Sequence, residues 1–141
     1  MKVTLDRIND AYHMEARNED GNTVHIDNSP AEGGSKLGVR PMQMLLMGLG
    51  GCSAIDIIGI LNKQKQKIDD FSIEVDGERE QGVIPSLFET IKVSFMFSGD
   101  LDPAKVKRAV NLSMEKYCSV TKTLEKTADI SYTIFLNKEE I

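Results

Sequence analysis

The sequence predicts an α+β fold, in the order three strands, helix, two strands, helix, strand, and two observations carry that reading. Apolar and polar residues alternate in short runs near the N-terminus, around residues 71–76 and 91–97, and again over residues 130–136. Two stretches of helical character, residues 40–67 and 102–117, stand between those runs. The strands therefore cluster instead of alternating strictly with helices, which is the α+β pattern. At 141 residues the chain is sized for a single domain, residues 1–141.

Taken in order, residues 3–7, 12–16 and 24–26 alternate over short spans, and Asp20-Gly21 between the last two is a hairpin signal. An antiparallel meander follows from this. Residues 27–39 mix Gly, Ser and Pro without periodicity and read as a loop, the most mobile segment, that delivers the chain to a central helix. Pro41 suits the first helical position, and residues 42–47 continue with good helix formers. Gly48, Gly50 and Gly51 each cost about 1 kcal/mol in a helix interior relative to alanine. They predict a kink or break just before Cys52, with helix resuming from about Ser53.

That break places Cys52 at a helix N-terminus, where free N–H groups and the positive end of the dipole favour a thiolate, so Cys52 is a candidate nucleophile. The alternative is a buried, inert core cysteine. Beyond it, Ile55, Ile57, Ile58, Ile60 and Leu61 occupy nearly the whole helix circumference. A helix apolar all round needs cover on every side, which a chain this small does not supply alone, so a partner subunit is expected. Lys63, Lys65 and Lys67 place positive charge where the helix dipole favours it.

Phe71, Ile73 and Val75 and then Ile91, Val93, Phe95 and Phe97 predict two long antiparallel strands, joined through residues 82–86. Asp102-Pro103 is an N-cap followed by an N1 proline, opening a second helix that runs to about Tyr117. Cys118 follows it, and Ile130, Tyr132, Ile134 and Leu136 mark the last strand.

Charge and composition narrow the function classes. A net charge of -5 with scattered lysines argues against nucleic-acid binding. Met1 is not followed by a charged region and an apolar core, and no apolar run reaches transmembrane length, so a cytoplasmic protein without membrane contact is expected. In a reducing compartment the two cysteines are free, metal-bound or redox-active, not a structural staple. His13, His25, Cys52 and Cys118 lack the short spacings of a zinc site, and neither a metal nor an organic cofactor is expected. Cys52 and Cys118 lie 66 residues apart, a separation that leaves open both a cooperating pair and two unrelated core thiols. A Cys-His acyl-transfer site would require a histidine beside Cys52.

The runs PMQMLLMGLGGCSAIDI, PSLFETIKVSFMFSG and LDPAKVKRAVNLSMEKYCSV together resemble the OsmC/Ohr family, the osmotically induced and organic hydroperoxide resistance proteins. The resemblance covers nearly the whole chain, and its specific part is the two cysteine segments. It implies an intertwined homodimer with the central helices buried between two sheets, and reduction of small organic hydroperoxides at the expense of a thiol or dithiol. Cys52 matches the peroxidatic cysteine and Cys118 the resolving one. The family's activating arginine best matches Arg17, with Arg40 as the competing candidate. Where the hydroperoxide-resistance branch carries a glutamate ten residues before the reactive cysteine, this chain has Met42, with Gln43 beside it. A methionine cannot pair with an arginine. The resemblance therefore points to an OsmC-like branch apart from either named enzyme, with a redox sensor or small-molecule binding module as the alternative to a peroxidase.

Overall fold

The N-terminal alternation forms a three-stranded antiparallel sheet of β1 (Val3–Arg7), β2 (Met14–Asn18) and β3 (Thr23–Ile26), in the order β1-β2-β3. Gly21 turns β2 into β3 with φ 84°, a conformation that L side chains resist. Its N–H donates to Asn18 O at 3.2 Å. β2 starts two residues later than the alternation suggests, because Asn9 Oδ1 accepts the N–H groups of Ala11 and His13 at 2.9 and 3.1 Å and holds Tyr12 in a turn.

The loop over residues 27–39 is organised by one buried carboxylate. Asp27 accepts the N–H groups of Ser35 and Leu37, each at 3.0 Å, and that of Asn28 at 2.8 Å. A short 3-10 turn, Pro30–Glu32, lies inside it. The loop returns beside β3, where Val39 N–H donates to His25 O at 2.9 Å. A Cβ on Gly38 would overlap the His25 backbone, so only glycine fits that return. Residues 1–45 make one compact unit and residues 46–141 a second; the computed structural model describes all of residues 1–141.

In the second unit β4 (Asp70–Arg79), β5 (Phe88–Ser98), β6 (Asp129–Leu136) and β7 (Glu139–Glu140) form one sheet in that order. β4 and β5 pair antiparallel, whereas β5 and β6 pair parallel, Val93 opposite Tyr132 and Phe95 opposite Ile134. A parallel pair needs a crossover of a dozen residues or more. Here it consists of α2 (Pro103–Leu112), a π turn (Ser113–Tyr117) and α3 (Ser119–Leu124), the last of which the sequence reading did not resolve. Asp102 caps α2 as expected, its carboxylate accepting Ala104 N–H at 2.9 Å. Ile91, Val93, Phe95, Phe97, Ile134 and Leu136 on one sheet face and Val106, Ala109 and Val110 on α2 make the core.

The central helix departs from expectation. α1 runs unbroken over Pro41–Lys63, straight through Gly48, Gly50 and Gly51. The reason is packing: Leu49, Ser53, Ile57 and Leu61, four residues apart, form a fully buried stripe. Burying the three aliphatic side chains contributes about 1.5–3 kcal/mol each, which outweighs the glycine cost. Gly50 faces β4, and a Cβ there would stand 3.4 Å from Val75. Gly48, Gly51 and Gly59 meet nothing within 4 Å, and Met47 and Ile55 are 56% and 75% exposed. Unbroken, α1 is long and apolar enough to cross a membrane by length and composition, contrary to the sequence reading, which had divided it.

Candidate redox site

Cys52 is the twelfth residue of α1, inside the helix and not at its N-terminus. Its own N–H belongs to the helical ladder, so the expected dipole effect is absent. Instead, burial pushes the Cys52 thiol above its ordinary value of 9.0, opposed by the N–H groups of Val120 and Ser119, which face its sulfur. The thiol of Cys118 adds to the upward shift. The expectation that Cys52 carries the depressed pKa is corrected accordingly.

The two thiols lie close enough that each shifts the acidity of the other, and they are unbridged. Local structure explains how residues so far apart meet. The apolar face of α2 docks on the sheet, and the π turn then widens the helix by one residue, with Cys118 N–H donating to Ser113 O at 2.8 Å. Ser113 in turn donates its hydroxyl to Asp56 on α1 at 3.2 Å. Cys118 therefore ends the turn against α1, beside Ser53 of the buried stripe.

Cys118 is fully buried, whereas Cys52 is partly exposed. Burial pushes the Cys118 thiol up, but donors outweigh it and hold it below the ordinary 9.0. These are the hydroxyl and N–H of Thr121, the Cys52 thiol and the Ser53 hydroxyl. Thr121 N–H stands 3.4 Å from Cys118 Sγ and Ser53 Oγ 3.6 Å from it. Met114 Sδ, also buried, lies 3.7 Å from Ser53 Oγ and 3.8 Å from Thr121 Oγ1. Sequence reading named both cysteines and missed this surround, since a serine and a threonine beside cysteines carry no distinguishing signal.

The arginine candidates belong to the first unit. Arg17, on β2, pairs with the carboxylate of Glu15 two residues earlier on the same strand face. The arginine thus has an acid partner despite Met42. The other carboxylate oxygen of Glu15 lies 4.0 Å from His25 Nε2, and His25 Nδ1 is 2.9 Å from His13 Nε2. These two histidines engage each other. Arg40 precedes α1, where its N–H donates to Gln43 Oε1 at 3.0 Å.

A partly exposed thiol beside an enclosed, donor-surrounded one, on a fold of two sheets with a long glycine-containing helix, defines an α+β dithiol protein. The chain belongs to the OsmC-like protein family, whose pattern it matches over residues 33–133. Over 94 residues it is 47% identical to protein YhfA of Escherichia coli strain K12, a match covering 66% of this chain and 69% of that protein. A hypothetical protein from Aquifex aeolicus VF5 superposes with a TM-score of 0.79 at 28% identity over 96% of both chains. An organic hydroperoxide resistance protein from Elizabethkingia anophelis superposes with a TM-score of 0.72, covering 96% of this chain and 94% of that one. At 11% identity that last likeness concerns the fold alone.

Proposed function

We propose that this chain is a homodimeric, cytoplasmic thiol peroxidase-like protein that reduces small organic hydroperoxides, with Cys52 as the attacking and Cys118 as the resolving sulfur. The observation that carries this reading is the proximity of one partly exposed and one enclosed thiol, each of which shifts the acidity of the other. In the first step the Cys52 thiolate attacks the outer peroxide oxygen. The O–O bond breaks, the alkoxide takes a proton and leaves as alcohol, and Cys52 becomes a sulfenic acid. The N–H groups of Ser119 and Val120, aimed at the Cys52 sulfur, suit the charge that gathers there. In the second step the Cys118 thiolate attacks the sulfenic sulfur, water leaves, and a Cys52–Cys118 disulfide forms. A dithiol of the solution then restores both thiols, and the residues need no metal or organic cofactor for these steps.

Homodimerisation is supported by α1. Gly48, Gly51 and Gly59 weaken the helix without any neighbour in the chain that requires a glycine, and Met47, Ile55 and Ile58 stand exposed beside them. A second copy of the helix approaching closely accounts for both facts. Arg17, held by Glu15, is our candidate for the group that orients the peroxide. The experiment is turnover of cumene hydroperoxide and of hydrogen peroxide with monothiol and dithiol donors. Steady consumption supports the enzyme; absence of consumption and of disulfide with either peroxide overturns it. The raised Cys52 pKa favours the second reading, a redox sensor, whose mark is single oxidation without turnover.

A further inference from the structure

We propose that Ser53 and Thr121 hold the thiolate of Cys118, and thereby fix the direction of reductive regeneration: the reductant attacks Cys52, and Cys118 is the sulfur expelled. The inference rests on the Cys52–Cys118 disulfide of the reading above.

Three observations carry it. First, access within the chain is one-sided, since Cys118 is fully buried by its own chain and Cys52 is not. An attacking thiolate must approach in line with the S–S bond, and only the Cys52 end is open to it. Second, the balance of donors favours Cys118: the Thr121 N–H and the Ser53 hydroxyl lie at Cys118 Sγ, at 3.4 and 3.6 Å, whereas at Cys52 the Val120 and Ser119 N–H groups do not offset the cost of burial. In thiol–disulfide exchange the more acidic thiol leaves faster, and the contacts at Cys118 stabilise charge on its sulfur. Third, neither hydroxyl is left unpaired when Cys118 is bonded. Ser53 Oγ has Leu49 O at 2.8 Å and Met114 Sδ at 3.7 Å as other acceptors, and Thr121 Oγ1 has Met114 Sδ at 3.8 Å. The cage can turn its protons toward Cys118 as charge appears and away as the disulfide forms. Leu49 O for Ser53 and Met114 Sδ for Thr121 thus serve as the resting acceptors.

The electron balance is simple. One thiolate of a dithiol attacks Cys52 Sγ; a new S–S bond forms, the Cys52–Cys118 bond breaks, and its electron pair stays on Cys118 Sγ. The second thiolate of the reductant then attacks its own sulfur in the mixed disulfide, releasing Cys52 with uptake of a proton and leaving the reductant as a cyclic disulfide. Run in reverse order, the same cage makes Cys118 an effective nucleophile toward the sulfenic acid.

The test uses full-length protein oxidised with diamide, so that it does not depend on peroxidase activity. Brief exposure to 2-mercaptoethanol, acid quench and peptide mass analysis should place the adduct on Cys52; an adduct on Cys118 overturns the proposal. In a Cys52→Ser background the thiolate absorbance of Cys118 near 240 nm should titrate at higher pH after Ser53→Ala, whereas Thr121→Val, which keeps the backbone N–H at Cys118 Sγ, should titrate closer to the parent. Reduction of the diamide-made disulfide should slow in Ser53→Ala, because Cys118 becomes the poorer leaving group. Unchanged titration in Ser53→Ala overturns the cage, as does failure of diamide to bridge the thiols. Failure of hydroperoxide alone to oxidise the wild type sinks the peroxidase reading instead and leaves these outcomes standing.

Discussion

A thiol's acidity follows what its sulfur touches, and the two cysteines touch different things. Cys118 meets four donors, whereas Cys52 meets two N–H groups, a burial cost and the charge of its neighbour. In Cys118→Ser the neighbouring charge is gone, so the Cys52 alkylation midpoint should fall toward the ordinary 9.0, and peroxide should build up a sulfenic acid. Cys52→Ser should abolish peroxide consumption. A pH series of alkylation rates followed by mass analysis reads both variants, and a Cys52 midpoint that stays high in Cys118→Ser shows that burial alone sets it. Arg17 has its carboxylate in Glu15, so Met42→Glu should change the oxidation rate little. Arg17→Ala should slow it about tenfold, the effect of roughly one pKa unit of lost charge interaction. If Glu15 positions the guanidinium, stopped-flow traces of Glu15→Gln should fall between the two.

At the scale of elements, the strands were legible because each buries one face, so period-two alternation survives in β4, β5 and β6. The unbroken α1 was not. Local propensity counts three glycines against the helix, while the Leu49, Ser53, Ile57, Leu61 stripe that overrules them exists only once the sheet is in place. The meeting of Cys52 and Cys118 was hidden for a related reason: the π turn that aims Cys118 leaves no pattern in the sequence. The open glycines of α1 give a direct test. Gly51 has no chain neighbour within 4 Å, so Gly51→Leu should leave helical content intact while breaking up the proposed dimer in sedimentation. The loop offers another. Hydrogen bonds from the Leu37, Asn28 and Ser35 N–H groups hold the Asp27 carboxyl below its ordinary 3.8, against the cost of burial. A carboxyl depressed in the folded state contributes stability above its unfolded value and loses it as pH falls through the folded one. Thermal melts from about pH 6 to about pH 2 should show that acid loss in the wild type and a smaller pH dependence, from a lower starting midpoint, in Asp27→Asn.

For the whole molecule, the candidate groups fall in different units. The second unit, residues 46–141, carries both sulfurs and every donor around Cys118. The first, residues 1–45, contains Arg17 with its carboxylate partner and the histidine pair. Much of this order was readable: the N-terminal meander, the paired long strands, the capped second helix and the closing strand all follow from turn residues and alternation. The parallel pairing of β5 with β6 was not, since alternation reports a buried face and carries no direction.

β4 is the outermost strand of its sheet and, at ten residues, a long one. Its free edge is a row of unpaired amides and carbonyls, the template on which chains add to one another into fibrils. Glu74, Asp76 and Glu78 stand exposed along it, every second residue, while Ile73 and Val75 turn the other way. Mutual repulsion between these carboxylates should keep freshly made chains apart before they fold. Glu74→Val with Asp76→Val should leave the thiol site untouched yet make dilute protein scatter light within hours of refolding, and a clear solution would mean that the edge is guarded by something other than charge. The strand farthest from β7 thus carries an acidic pattern set apart from the two cysteines.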